Sequence, residues 1–168
     1  MYDFKTNLND NRLAEEAAHG LDGVIDKTDP KHSKHLYGLV VQYEDIDAGG
    51  IVYHSTYLNF AERARSALLR ASKFDVQYWL AEENQGFVIT HIETDYLSPA
   101  KLHNRLIVET SCLQLGGASA LLQQNINSFD RGHIFARVMV KAAWVDIELG
   151  PRKFPEPLQM VLRSFQPK

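Results

Sequence analysis

An α+β fold, with an antiparallel sheet of about five strands wrapped around one long helix, is predicted by three features of the sequence. Apolar and small residues recur at spacings of three and four from Tyr57 to Ala71, the period of a helix face. Four long runs with strand character follow between Phe87 and Asp146. The turns joining the last three, Gly116-Gly117 and Asp130-Arg131-Gly132, are short and carry glycine, which implies antiparallel hairpins. One helix cannot cover both faces of such a sheet, so the sheet is expected to curve around it.

The length of 168 residues suits one domain with a full core. With 18 basic and 21 acidic residues the formal net charge is −3, which argues against general nucleic-acid binding. The single cysteine, Cys112, permits neither an internal disulfide nor a cysteine-based zinc cluster. No apolar run approaches the ~20 residues of a membrane span. Met1 to Gly20 is polar and has no apolar signal-peptide core. A cytoplasmic protein that is not integral to a membrane is the expectation.

Residues 1–34 read as a separate, flexible N-terminal arm, rich in Asn, Asp, Lys and His, with a short helix possible over Arg12–His19. His19, His32 and His35, counted with the arm, are expected to be solvated. Residues 35–168 form the domain proper and end in a short tail. Leu36–Tyr43 reads as a strand. Ser55 or Thr56 can cap the long helix, whose face comprises Tyr57, Phe60, Ala61, Ala64, Leu68 and Ala71. The small residues Ala61, Ala64 and Ala67 allow close packing on a sheet. Glu62 can pair with Arg63 or Arg65. Asp75–Glu83 suggests a second, short helix ending near Gly86.

The strand-like runs are Phe87–Leu97, Arg105–Leu115, Ser119–Phe129 and Ile134–Asp146. In the last, Ile134, Ala136, Val138, Val140, Ala142 and Trp144 alternate with a face carrying Arg137 and Lys141. Pro151, Pro155 and Pro157 then break the chain before an amphipathic tail, Leu158–Phe165. Strands this long leave edges, so pairing with a second copy is expected.

The chemistry concentrates in one stretch, from Tyr43 to Tyr57. Three acids, Glu44, Asp45 and Asp47, crowd a turn containing Gly49 and Gly50, immediately before the long helix. The glycines let the backbone bend and approach a ligand. The first turn of the helix presents N–H groups that favour negative charge. A carboxylate held there can attack an acyl group or activate water while those N–H groups stabilise the oxyanion. Glu44 and Asp45 are expected to be solvated.

Competing motifs fail. Counted as an EF-hand from Asp45, the loop places Thr56 where a bidentate Glu is needed. His91-Ile92-Glu93 lacks the cysteine pair of a zinc deaminase. Ser55 is not in a Gly-x-Ser-x-Gly elbow. No phosphate-binding loop occurs. Neither a metal nor a nucleotide cofactor is implied.

The segment Tyr43-Glu44-Asp45-Ile46-Asp47-Ala48-Gly49-Gly50-Ile51-Val52-Tyr53-His54, followed by Tyr57-Leu58, Glu62-Arg63-Ala64-Arg65 and Ile92–Ala100, resembles the hotdog-fold acyl-CoA thioesterases of the 4-hydroxybenzoyl-CoA thioesterase-like family. Within that family it is most similar to the YbgC branch, linked to the Tol–Pal envelope system. The resemblance covers about residues 36–150. It implies hydrolysis of an acyl-CoA, or of an acyl carrier protein thioester, to a free acid and a thiol, with coenzyme A entering only as part of the substrate.

By the same resemblance, Asp47 is the catalytic carboxylate, as nucleophile or general base. His54 stands at the helix start, where its N–H polarises the carbonyl and its side chain assists. Tyr43 matches a tyrosine four residues before the aspartate. Gly50, Val52 and Tyr53 line the substrate site, and Lys101 and Arg131 are candidates for gripping the CoA phosphates. A homodimer or homotetramer is implied. Ile46 and Asn104 depart from the residues common in the family, which bears on substrate preference. The alternative is a non-catalytic hotdog module that binds acyl-CoA or a protein; a hotdog dehydratase fits the Asp-to-helix spacing less well.

Overall fold

The chain runs through α1 (Phe4–His19), β1 (Val24–Asp26), β2 (Lys34–Val40), a single 3-10 turn (Tyr43–Asp45) and α2 (Thr56–Ala71). It continues with α3 (Val76–Glu82), β3 (Gln85–Tyr96), β4 (Arg105–Leu115), β5 (Ser119–Ser128), β6 (Ile134–Asp146), β7 (Gly150–Pro151) and α4 (Glu156–Ser164). This computed structural model describes residues 4–29, 31 and 33–167, with side chains from residue 12 onward. His32, expected to be solvated, lies outside the described residues.

All seven strands form one antiparallel sheet in the order β1-β2-β4-β5-β6-β3, with β7 pairing to β6. The five long strands are those expected from the sequence; β1 and β7, of three and two residues, extend it. The expected strand Leu36–Tyr43 begins earlier and stops at Val40, because the chain turns into the 3-10 helix at Tyr43.

α2 lies on one face of this sheet. Tyr57, Phe60, Ala61 and Ala64 are buried against Leu106 and Val108 of β4, Ile126 of β5 and Ala136, Val138 and Val140 of β6. Three alanines on the contact face, Ala61, Ala64 and Ala67, are fully buried and bring the helix backbone close to the sheet. That proximity is used by Gln124 of β5, itself fully buried. Its amide donates to the Ala61 carbonyl at 2.8 Å and to Thr110 Oγ1 at 3.1 Å, and its carbonyl accepts from Arg65 at 2.7 Å. Arg65 also pairs with Glu62 at 2.7 Å, the helix ion pair anticipated from the sequence.

A second cluster gathers around Trp144, with Phe74, Phe154, Leu158, Leu162 and Phe165. The amphipathic tail thus closes this end of the sheet as α4. Full burial of a large apolar side chain contributes roughly 1.5–3 kcal/mol, so these residues weigh heavily in stability.

The N-terminal segment differs from the loose arm suggested by its composition. α1 is longer than the anticipated Arg12–His19 helix. Ala14 and Ala17 pack with Leu36 of β2 and Ile107 of β4 on the sheet face opposite α2. The fit is close: a Cβ at Gly38 would lie 2.6 Å from the Ala18 Cα. β4 is therefore covered on both faces, which explains its unbroken burial from Leu106 to Cys112.

His19 keeps a largely exposed side chain beside Glu15, as expected. His35 does not. It is fully buried, because β1 and the Asp22–Gly23 turn close over it. Its Nε2–H donates to the Asp22 carbonyl at 2.7 Å, while Nδ1 has no partner among the described residues. Burial lowers the His35 pKa, and the Asp22 carbonyl offsets this only in part. A histidine whose folded pKa is depressed binds a proton more readily in the unfolded chain. Its contribution is intact above the unfolded value of about 6.5 and is lost as pH falls below it. Thermal unfolding between pH 7.5 and 5 should therefore show a steeper acid-side loss of Tm in the wild type than in His35→Gln.

Candidate active site

The turn that follows β2 is built from its own backbone. Asp45 was expected to be solvated but is buried, because its carboxylate accepts from the Gln42 N–H at 2.7 Å and closes the 3-10 turn. Its carbonyl accepts from the Tyr53 N–H at 2.9 Å. Ile46 and Val52 pair across the turn. At the tip, Asp47 N–H donates to the Ile51 carbonyl at 2.9 Å, and the Gly50 N–H donates back to the Asp47 carbonyl at 3.0 Å. Gly50 has φ +76°, a conformation that side-chain-bearing residues rarely adopt. The Asp47 Oδ1 accepts from the Gly49 N–H at 2.7 Å. One carboxylate oxygen is thus tied into the turn.

A second segment, remote in sequence, completes the site. The Val52 N–H donates to the Ala100 carbonyl at 2.9 Å, and Ile51 pairs with Lys101. The end of β3 and its following loop are thereby laid against the turn and the start of α2. The result is a cleft of about 490 Å³ that brings together Asp47, Val52, His54, Tyr57, Tyr96 and Ser98. The His54 N–H donates to no protein acceptor among the described residues. Ser55 takes the N-cap position of α2 without a side-chain cap bond. The His54 ring lies against Tyr53, with centroids 4.3 Å apart. Ser98 Oγ is 2.5 Å from His133 Nε2, which joins the cleft wall to the β5–β6 turn.

Of the residues anticipated from the sequence, Asp47, Val52 and His54 share the cleft. Gly50 shapes its turn and Tyr53 braces His54. Tyr43 does not line the cleft: it is 74% exposed, with its ring edge-on to His103. Lys101 is exposed and borders the turn through its backbone. Arg131 is also not a lining residue. Its guanidinium reaches Glu109 at 3.0 Å and Asp26 at 3.8 Å, with its side chain 18% exposed.

Tyr57, Tyr96, Leu97, Ser98 and Pro99 line the cleft but were not assigned to it from the sequence. The run Tyr96-Leu97-Ser98-Pro99-Ala100 was visible as a motif; what sequence does not display is the Val52–Ala100 bond that carries it there. A larger cavity, about 690 Å³, lies by the C-terminal half of α2 between Leu69, Phe74, Leu80 and Phe87, and contains neither Asp47 nor His54. Its polar lining is Glu62, Arg65, Ser66, Arg70, Lys73, Asp75 and Gln77, whereas the smaller cleft holds the candidate residues Asp47 and His54.

A family model of the thioesterase-like superfamily matches residues 41–165, which spans the turn, α2 and every long strand after it. The chain belongs to this superfamily, and within it to the YbgC-type hotdog thioesterases. It is 39% identical over 127 residues to the acyl-CoA thioesterase YbgC of Haemophilus influenzae, covering 75% of this chain and 92% of that protein. It is 33% identical over 116 residues to the acyl-CoA thioester hydrolase YbgC of Escherichia coli O6:H1, covering 69% and 86%. Among solved structures, a probable thioesterase from Bartonella henselae superposes with a TM-score of 0.68 at 30% identity, covering 73% of this chain and 99% of that one. A 1,4-dihydroxy-2-naphthoyl-CoA thioesterase from Synechocystis gives 0.73 at 20% identity, covering 77% and 96%, and supports the hotdog fold.

The one thiol of this hotdog protein stands apart from the cleft. Cys112 is fully buried, and burial pushes its pKa up to about 11. A thiol so disposed is a poor nucleophile. At pH 7 the native protein should therefore resist iodoacetamide at Cys112, whereas the urea-unfolded chain should be alkylated there; intact mass measures both.

Proposed function

We propose that the protein hydrolyses acyl-CoA thioesters to a free acid and coenzyme A. The observation that carries this reading is the sharing of one cleft by the Asp47 carboxylate and the start of α2 at His54. The names of its YbgC relatives support the substrate class. An acyl carrier protein thioester presents the same reactive group and is a second candidate substrate.

In this reaction the thioester carbonyl lies beside Asp47, with its oxygen toward the His54 N–H. That N–H and the dipole of α2 stabilise the oxyanion as it forms. The carboxylate acts in one of two ways. It attacks the carbonyl to give a mixed anhydride that water then opens, or it removes a proton from a water that attacks directly. In both, the carbon–sulfur bond breaks and the thiolate leaves to take up a proton. The His54 imidazole, braced by Tyr53, assists in moving that proton. Side chains, water and the substrate's own coenzyme A supply the whole reaction.

Lys101 is the candidate for the CoA phosphates that fits best, since its side chain is exposed at the turn's border, whereas Arg131 would first have to leave Glu109 and Asp26. β3 is a 12-residue edge strand whose Ile89, Ile92 and Tyr96 are exposed, which supports a homo-oligomer in which two copies pair along it. No helix among the described residues is long and apolar enough to cross a membrane, and a cytoplasmic site of action is proposed.

Asp47→Asn keeps an oxygen to accept from the Gly49 N–H, so the turn should survive. Release of thiol from a panel of acyl-CoAs should fall about 10²–10⁴-fold, the range lost when a positioned base is removed, with Tm nearly unchanged. Undiminished turnover would remove Asp47 from the mechanism. Binding without hydrolysis by the wild type would favour a non-catalytic module.

A further inference from the structure

The last residue of β3 reaches the start of α2. The Tyr96 hydroxyl donates to the His54 carbonyl at 3.0 Å, across 42 positions of sequence. The Tyr96 ring stands edge-on to the His54 imidazole, with centroids 6.3 Å apart, and to the Tyr57 ring at 5.7 Å. Tyr57 is anchored in turn: its hydroxyl accepts from the Ala100 N–H at 3.0 Å, in a buried position. Backbone at Ala100, Tyr57, Tyr96 and the His54 carbonyl thus form one continuous clamp between the β3 end and the helix start.

The clamp acts on a short stretch between two backbone bonds: the Tyr53 N–H donates to the Asp45 carbonyl at 2.9 Å and the Thr56 N–H to the Tyr53 carbonyl at 2.8 Å, and the Tyr96 hydroxyl adds the hold on the His54 carbonyl between them. The Ser55 hydroxyl makes no cap bond that would hold the helix start. A peptide unit is planar, with its carbonyl and N–H pointing in opposite directions. Fixing the direction of the His54 carbonyl therefore fixes ψ of His54. That torsion sets how the Ser55 N–H and the whole helix entry are aimed relative to the residue's own N–H and imidazole. His54 lines the cleft that holds Asp47.

We propose that Tyr96 is a positioning residue for thioester cleavage. It touches no reacting atom; its hydroxyl holds the His54 peptide so that the helix start stays aimed at the carbonyl bound beside Asp47. The proposal rests on the hydrolytic reading above. Misplacement of groups by a fraction of an ångström to 1 Å is costly for a reaction that depends on alignment, whereas ground-state binding of a long CoA substrate draws on contacts elsewhere.

Tyr96→Phe removes only the hydroxyl and leaves the ring packing on Tyr57 and His54. The expected result is a fall in kcat of about tenfold with KM for the acyl-CoA within about twofold, and a Tm close to wild type. In the ¹H–¹⁵N spectrum the Ser55 amide, which shares the peptide with the released carbonyl, should shift while the amides of β4 and β5 stay in place. An unchanged kcat overturns the proposal. So does a loss of kcat that comes with a matching rise in KM, or with a lowered Tm and widespread shift changes. If the wild type releases no coenzyme A across the acyl panel, the hydrolytic reading fails and the proposal with it. An active wild type with an unaffected Tyr96→Phe variant overturns the proposal alone.

Discussion

Burial of one face of α2 against the sheet is the constraint on which the rest of the molecule depends. Tyr57, Phe60, Ala61, Ala64 and Leu68 leave water together, and the alanines let the helix approach until Gln124 can reach the Ala61 carbonyl. A buried amide left unpaired there would be costly. Its bonds to Ala61, Thr110 and Arg65 therefore fix the helix axially as well as against the sheet. Because α2 is held so firmly, its first residues sit at a defined place above the sheet edge, and a cleft can form there at all.

The cleft is a consequence of topology. β3 lies at one edge of the sheet, and its far end returns past the start of α2 before the chain enters β4. The acidic turn after β2 meets that returning segment through Val52 and Ala100. Two pieces of backbone about fifty residues apart thus share main-chain bonds, and the side chains they carry converge, with Val52 and Tyr57 buried and Asp47, His54 and Tyr96 left exposed. Asp47 remains exposed in the single chain, at a tip whose shape is set by Gly50 and by its own bond to the Gly49 N–H.

Periodic elements were legible in the sequence. The bounds of β4 and β6 coincide with those read from alternation and turn chemistry, and Tyr57, Phe60, Ala61, Ala64 and Leu68 of the face read from helical spacing are buried, while Ala71 at the helix end is only half-buried. What escaped notice depends on partners distant in the chain. α1 docks through Ala14 and Ala17, residues too small to announce an apolar stripe. His35 and Asp45 looked like polar surface residues; one is enclosed by a neighbouring strand, the other consumed in closing a turn. Arg131 was a candidate for gripping the CoA phosphates, yet its partners lie on β1 and β4. Within the site, Asp47 and His54 could be found because they belong to one local motif. Tyr96 could not be joined to them by spacing, since only the folded sheet brings β3 to the helix.

The contact between α1 and β2 at Gly38 is made backbone to backbone, and the superfamily match begins only at residue 41. The leading helix therefore lies on the sheet through β2, ahead of the residues that the superfamily model matches. A methyl group at position 38 would meet the Ala18 main chain at 2.6–2.8 Å. For the leading helix to lie at this distance the strand has to stay bare there, so the seating of α1 hangs on a single missing methyl group.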